Sequence, residues 1–136
     1  MKLLAVDSNS IMNRAFYGIK LLTTRSGFYT NAVYGFLTIF LATISEVRPD
    51  AVVFAFDMHG PTFRHTIYDA YKAGRHKPPD ELSAQFPLIK ELLGDLGYPI
   101  LESPGYEADD ILGTLADACE KAGWECVIST GDRDSL

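Results

Sequence analysis

The sequence predicts an α/β domain, a mostly parallel central sheet flanked by helices. Short apolar runs rich in Val, Ile and Phe alternate with longer stretches of helical periodicity, and the runs end on Asp. Apolar runs without polar alternation suit strands buried on both faces. Their alternation with helices suits parallel crossovers.

The elements follow in order. "KLLAVD" (2–7) reads as the first strand, followed by a helix over about 10–22 and another over 31–47 with Thr30 as N-cap. "AVVFAFD" (51–57) reads as the second strand. Pro78-Pro79-Asp80 opens a helix over 80–96, and Gly97 stops it. "YPILE" (98–102) is a weaker strand. A helix over 106–122 stops at Gly123, and "CVISTGD" (126–132) is the last strand. No repeat, low-complexity segment or linker interrupts them, so the 136 residues read as one domain with one core.

Composition excludes several classes. At 47% hydrophobic and 22% charged, the chain is neither disordered nor fibrous. Cys119 and Cys126 form no CxxC pair, which favours a reduced, cytoplasmic compartment over a disulfide framework. "LLAV" ahead of Asp7 is too short for the apolar core of a signal peptide. Residues 27–45 carry no charge, but Gly, Asn, Tyr and Thr interrupt them, so a buried helix is expected there and not a membrane span.

The net charge of −6 is local. Of 18 acids, seven fall into one candidate site, and 18 − 7 leaves 11 against 12 Lys and Arg. Three apolar runs stop at Asp7, at Asp57 and at Asp132 with Asp134. In open parallel sheets, ligands bind outside the carboxyl ends of the strands. Asp is common in turns after strands, but three such ends together argue for a site.

"PGYEADDILG" (104–113) adds Glu107, Asp109 and Asp110 ahead of an apolar helix. Ile111, Leu115, Cys119 and Ala122 form its apolar stripe. Glu107 continues that stripe and Asp110 lies beside it, so both are expected to face the sheet. Compensation of the helix dipole would serve equally well on the solvent side, at under about 1 kcal/mol per exposed acid. Crowded inward carboxylates call for a cation. Oxygen ligands without a His or Cys cluster suit Mg²⁺ or Mn²⁺ and not zinc. Seven acids exceed the needs of one Mg²⁺, so two ions are expected.

The segment 60–79 interleaves Arg64, Lys72, Arg75 and Lys77 with Phe63, Tyr68 and Tyr71, against the single acid Asp69. Cations for phosphates and rings for bases suit single-stranded nucleic acid. Spacings of three and four from Arg64 to Arg75 let one helix present them, and a solvated surface helix would show the same spacing.

"AVDSNSIMNRAF", "NAVYGFLTIF", "FAFDMHGPTFRHTIYDAYKAGR", "PDELSAQFPLIKELL", "GYEADDILGTLA" and "VISTGDRDSL" together resemble the 5′-nuclease (5′-3′ exonuclease) domain of bacterial DNA polymerase I. That family shares the PIN-like fold of the flap endonucleases. The resemblance runs over the whole chain.

The resemblance implies a divalent-metal-dependent 5′-3′ exonuclease or flap endonuclease that hydrolyses DNA or RNA-primer phosphodiesters in replication and repair. Asp7, Asp57, Glu107 and Asp109 match the ligands of one metal. Asp132 and Asp134, with Asp110 nearby, match part of a second site. Arg64 and Lys72 match the cations on the scissile phosphate, and Tyr71, Arg75, Lys77, Arg14 and Asn31 are candidate DNA contacts. Residues from about 70 to 85 match an arch over a 5′ single strand. Gly74 and Pro78-Pro79 among long polar side chains lead disorder to be expected around 72–80. The implied partners are DNA with a 5′ flap or nick, an RNA primer, and the polymerase domain of the same chain.

Ser8 and Gly74 stand where the family often has Gly and Asn. The chain ends after "GDRDSL", so it reads as the catalytic core alone, before a further metal-site Asp and a helix-hairpin-helix module. Two other readings fit parts of the pattern. One is a folded DNA-binding fragment without activity. The other is a receiver- or phosphatase-like phosphotransfer module, which gives no reason for the 64–77 cluster.

Overall fold

A computed structural model describes residues 1–25, 27–57, 79–102 and 107–131. The elements are β1 (Lys2–Asp7), α1 (Ser8–Gly18), α2 (Asn31–Val47), β2 (Ala51–Ala55), α3 (Asp80–Ser83), α4 (Gln85–Asp95), β3 (Ile100–Leu101), α5 (Ala108–Ala122) and β4 (Glu125–Ser129). The strands form one parallel sheet in the order β3-β2-β1-β4. The strand order reverses between β1 and β4, the place where open α/β sheets hold ligands.

Alternate side chains of the strands feed two apolar layers. Leu4, Val6, Phe54 and Phe56 point to one face and pack with residues of α1, α2, α3 and α4, among them Met12, Phe36, Leu82 and Ile89. Ala5, Val53 and Ala55 point to the other face, against Ala108 and Leu112 of α5. Cover on both faces explains why these runs lack polar alternation. Phe40, Phe54 and Tyr98 meet edge to face at 5.0–5.5 Å between ring centroids, each pair contributing on the order of 1 kcal/mol beyond area burial.

Four expectations change. The last strand is less covered than a central one, with Ile128 42% exposed, because β4 lies at the end of the strand order. The helix expected over 80–96 divides at Ala84. Pro87 explains the break, since it has no N–H to donate and is tolerated only in a first turn. The first helix ends at Gly18, short of residue 22, and Thr23 bridges Tyr29 beyond it. In α5 the fully buried positions are Ala108, Leu112 and Cys119, whereas Ala122 is exposed beside the left-handed stop at Gly123, φ 75°.

The helix α2 keeps the bounds expected of it, and no helix among the described residues is long and apolar enough to cross a membrane. Its start is held by residues far away in sequence. Gln85 Oε1 accepts from the N–H groups of Ala32 (2.8 Å) and Val33 (3.1 Å), and its Nε2 donates to Asn31 Oδ1 and Glu81 O. Asn31 Nδ2 donates to the carbonyls of Phe16 and Ile19 where α1 ends. Two buried amides thus satisfy orphan groups at one helix start and one helix end. Thr30, the expected cap, makes no side-chain cap bond.

Candidate functional site

Asp7, Asp57, Glu107 and Asp109 line one cleft of about 240 Å³, together with Asn9, Ser10, Asn13 and Ala108. Asp7 is the last residue of β1, Asp57 lies two past β2, Glu107 is the N-cap of α5, and Asp109 lies in the first turn of that helix. The cleft therefore sits at the carboxyl edge of the sheet. Glu102 also follows a strand, but Lys90 pairs with it at 2.8 Å.

Asp7 caps α1, its Oδ1 accepting from Ser10 N at 3.4 Å. The residue is 8% exposed. Burial pushes its carboxyl above the ordinary range, hydrogen bonds from Ser10 oppose the shift, and the charges of Asp109 and Asp57 add to it. Asp7 on β1 thus feels the carboxylates beyond β2 and on α5.

Backbone donors direct several of these groups. Asp57 Oδ1 accepts from Ala108 N, and Asp57 N donates to Asn9 Oδ1 at 2.9 Å. Glu107 and Asp110 form a reciprocal capping box, in which Glu107 N donates to Asp110 Oδ2 at 3.0 Å and the Asp110 amide donates to the Glu107 side chain. The crowding of acids in this turn thus has a local structural cause. Glu107 and Asp110 are half-buried and Asp109 is exposed at the cleft.

The donor set, all oxygen, fits a hard cation that keeps much of its water. Among the described residues, no three His, Cys, Asp or Glu side chains stand arranged to hold one ion. Backbone N–H groups already occupy one oxygen each of Asp57, Glu107 and Asp110.

Asn31, a candidate DNA contact in the sequence, lies inside the core. It is 0% exposed and paired through its amide with Gln85. Arg14 is exposed and lines a neighbouring hollow of about 490 Å³ with Ser10, Asn13, Tyr17 and Gly131. Arg64, Tyr71, Lys72, Arg75, Lys77, Asp132 and Asp134 lie outside the described residues, as does most of the expected arch. Sequence reasoning passed over Asn9, Ser10 and Thr130. Only Ser10 carried a local signal, standing three residues after a carboxylate at a helix start.

Residues 2–136 match the family model described as the N-terminal, resolvase-like domain of 5′-3′ exonuclease. The chain is 44% identical over 136 residues to DNA polymerase I of Caldicellulosiruptor bescii, covering 100% of this chain and 16% of that protein. It is 46% identical to DNA polymerase I of Bacillus subtilis, over 98% of this chain and 15% of that one. The thermostable DNA polymerase I of Thermus thermophilus is 47% identical, over 98% of this chain and 16% of that one. The chain thus spans only a small part of these relatives. Among solved structures, a bacteriophage T5 flap endonuclease in complex with DNA and metal ions superposes with a TM-score of 0.63 at 16% identity, over 98% of this chain and 50% of that one. A T5 5′-exonuclease with bound zinc gives 0.58 at 18% identity, over 89% and 45%. At these identities the likeness speaks for the fold.

Proposed function

The chain belongs to the family of N-terminal, resolvase-like domains of 5′-3′ exonucleases, and from that premise we propose that it is the catalytic core of a divalent-metal-dependent nuclease acting on 5′ ends or flaps of DNA. One observation carries the reading: Asp7, Asp57, Glu107 and Asp109, brought from three elements, line one cleft at the carboxyl edge of the sheet, where the strand order reverses. Building mutually repelling carboxylates into a half-buried cleft costs stability unless a cation joins them.

In this reading Asp7, Asp57, Glu107 and Asp109 hold Mg²⁺ or Mn²⁺, and Asp110, Asp132 and Asp134 contribute to a second ion. Bound there, divalent ions would supply Lewis-acid charge for phosphodiester hydrolysis. Arg64 and Lys72 hold the scissile phosphate and stabilise its developing charge. Tyr71, Arg75, Lys77 and Arg14 guide the single strand, with cations on phosphates and the ring against bases. Partners are flapped or nicked DNA, an RNA primer and a polymerase domain of the same protein, in the cytoplasm.

The test is cleavage of a labelled 5′-flap duplex with and without Mg²⁺, beside Asp109→Asn. Mg²⁺-dependent cutting that falls at least about a hundredfold in the variant is expected, as for loss of a metal-centred charge term. Binding of the flap with no cutting at any Mg²⁺ concentration would favour a non-catalytic DNA-binding module. Cutting that is indifferent to both metal and Asp109 would remove the proposal.

A further inference from the structure

The hydroxyl of Ser10 joins two elements that lie 120 residues apart. Ser10 Oγ accepts from Gly131 N at 2.8 Å, lies 3.0 Å from Thr130 Oγ1, and is within donating distance of Asp7 O at 3.1 Å. Thr130 Oγ1 in turn reaches Asp7 Oδ2 at 3.5 Å, while Ser10 N reaches Asp7 Oδ1 at 3.4 Å. Each hydroxyl has one hydrogen to give. The Ser10 hydrogen is shared between Asp7 O and Thr130 Oγ1. Turned to Thr130, the chain runs from Gly131 N–H to Ser10 Oγ, from Ser10 O–H to Thr130 Oγ1, and from Thr130 O–H to Asp7 Oδ2. In that direction it ends on the carboxylate.

The contact is also closed sterically. A Cβ on Gly131 would stand 2.5 Å from Ser10 O, 2.9 Å from Ser10 C and 3.1 Å from Arg14 Cβ. Two of those atoms are backbone and cannot swing aside, so only glycine lets the exit of β4 press against the first turn of α1. The Asp7 carboxylate shares its cleft with Asp57 and Asp109. Repulsion among them favours rotation of Asp7 away from its neighbours, and donors on both of its oxygens oppose that rotation.

We infer that Ser10 is a positioning residue: through Thr130 it fixes the Asp7 carboxylate, and through Gly131 it latches the end of β4 to the start of α1, so that the cleft presents Asp7 to a cation in one orientation. This rests on the cation-binding reading of the cleft. Hydrogen bonds that orient a ligating group commonly change metal affinity tenfold to hundredfold.

Mn²⁺ titration of the full chain, followed by the electron paramagnetic resonance of the free ion well below the melting temperature, tests it. Ser10→Ala and Thr130→Val should each weaken Mn²⁺ binding by about tenfold or more. Thr130→Ser keeps the hydroxyl and should stay within about twofold of the parent. The double variant Ser10→Ala/Thr130→Val should be little worse than either single change, since both cut one chain. Should Ser10→Ala not fold, Thr130→Val against Thr130→Ser decides alone. A lowered melting temperature with parent-like Mn²⁺ affinity would make the latch merely structural and overturn the inference. A parent chain that binds no Mn²⁺ would overturn the cation reading and this inference with it.

Discussion

Asp57 and Ala108 are joined by a hydrogen bond from the backbone N–H of Ala108 to Asp57 Oδ1, across 51 positions of sequence. The residue just past β2 therefore satisfies an orphan amide in the helix that carries Asp109 and Asp110. One carboxylate anchors α5 and also faces the cleft. Asp57→Ala should lose about 1–2 kcal/mol in urea unfolding, through a charged cap bond in a partly buried place. Asp57→Asn keeps an acceptor and should retain most of that stability while weakening Mn²⁺ binding. Equal stability of the parent and the Ala variant would refute the anchoring role.

The pH dependence follows from Asp7. Its folded-state pKa is raised above the ordinary value of 3.8, first by burial and then by Asp109 and Asp57, against the hydrogen bonds from Ser10. The folded state therefore holds the proton more tightly than the unfolded chain. The stability contributed by this group is full below 3.8 and is lost as pH rises through the folded-state value. At neutral pH the ionised Asp7 costs stability. Asp7→Asn, itself a good N-cap, should raise the melting temperature at neutral pH and flatten its fall between acid and neutral solution. A variant less stable than the parent at neutral pH would contradict this.

Gln85 offers a stability test far from the cleft. Gln85→Leu leaves the amides of Ala32 and Val33 and the side chain of Asn31 short of a partner in a buried place. The expected loss is about 2 kcal/mol or more. Asn31→Ala cuts the same network, so the two losses should fall short of additive in a double variant. Full additivity would mean that the two amides act independently.

Gly35 sets two effects against each other. Gly35→Ala gains about 1 kcal/mol of helix propensity. The new Cβ would stand 2.6 Å from Ala15 Cβ and 2.7 Å from Ile19 Cδ1. Ala15 has no side-chain torsion by which to retreat, so α1 and α2 must separate, at about 1–3 kcal/mol. Overpacking should win, and thermal unfolding should show a net loss. A stabilised variant would mean that the helices part easily.

Ser8 should yield a gain. Its hydroxyl is fully buried and finds no partner among the described residues. Ser8→Ala removes the unmet group at nearly constant shape and should raise stability by roughly 1 kcal/mol. A loss on substitution would reveal a bond that this hydroxyl makes in solution.

The amino-acid sequence by itself determined the alternation of strands and helices, the bounds of α2 at 31–47, the stop at Gly123, and the acids waiting at the strand ends. These are local signals: apolar runs, a period of 3.6, and residues suited to caps or left-handed φ. The break before Pro87 was legible too, but the long apolar pattern of 80–96 masked it. Only the tertiary structure decided that the reversal of strand order falls between β1 and β4, that Ser10 meets Thr130 and Gly131, and that Asp57 serves Ala108. It also placed Asn31, polar and at a helix start, inside the core with Gln85 54 residues away. The reason is physical. Propensity and periodicity act over a few residues, whereas burial and the partner of a polar group depend on which distant segment the fold brings beside it.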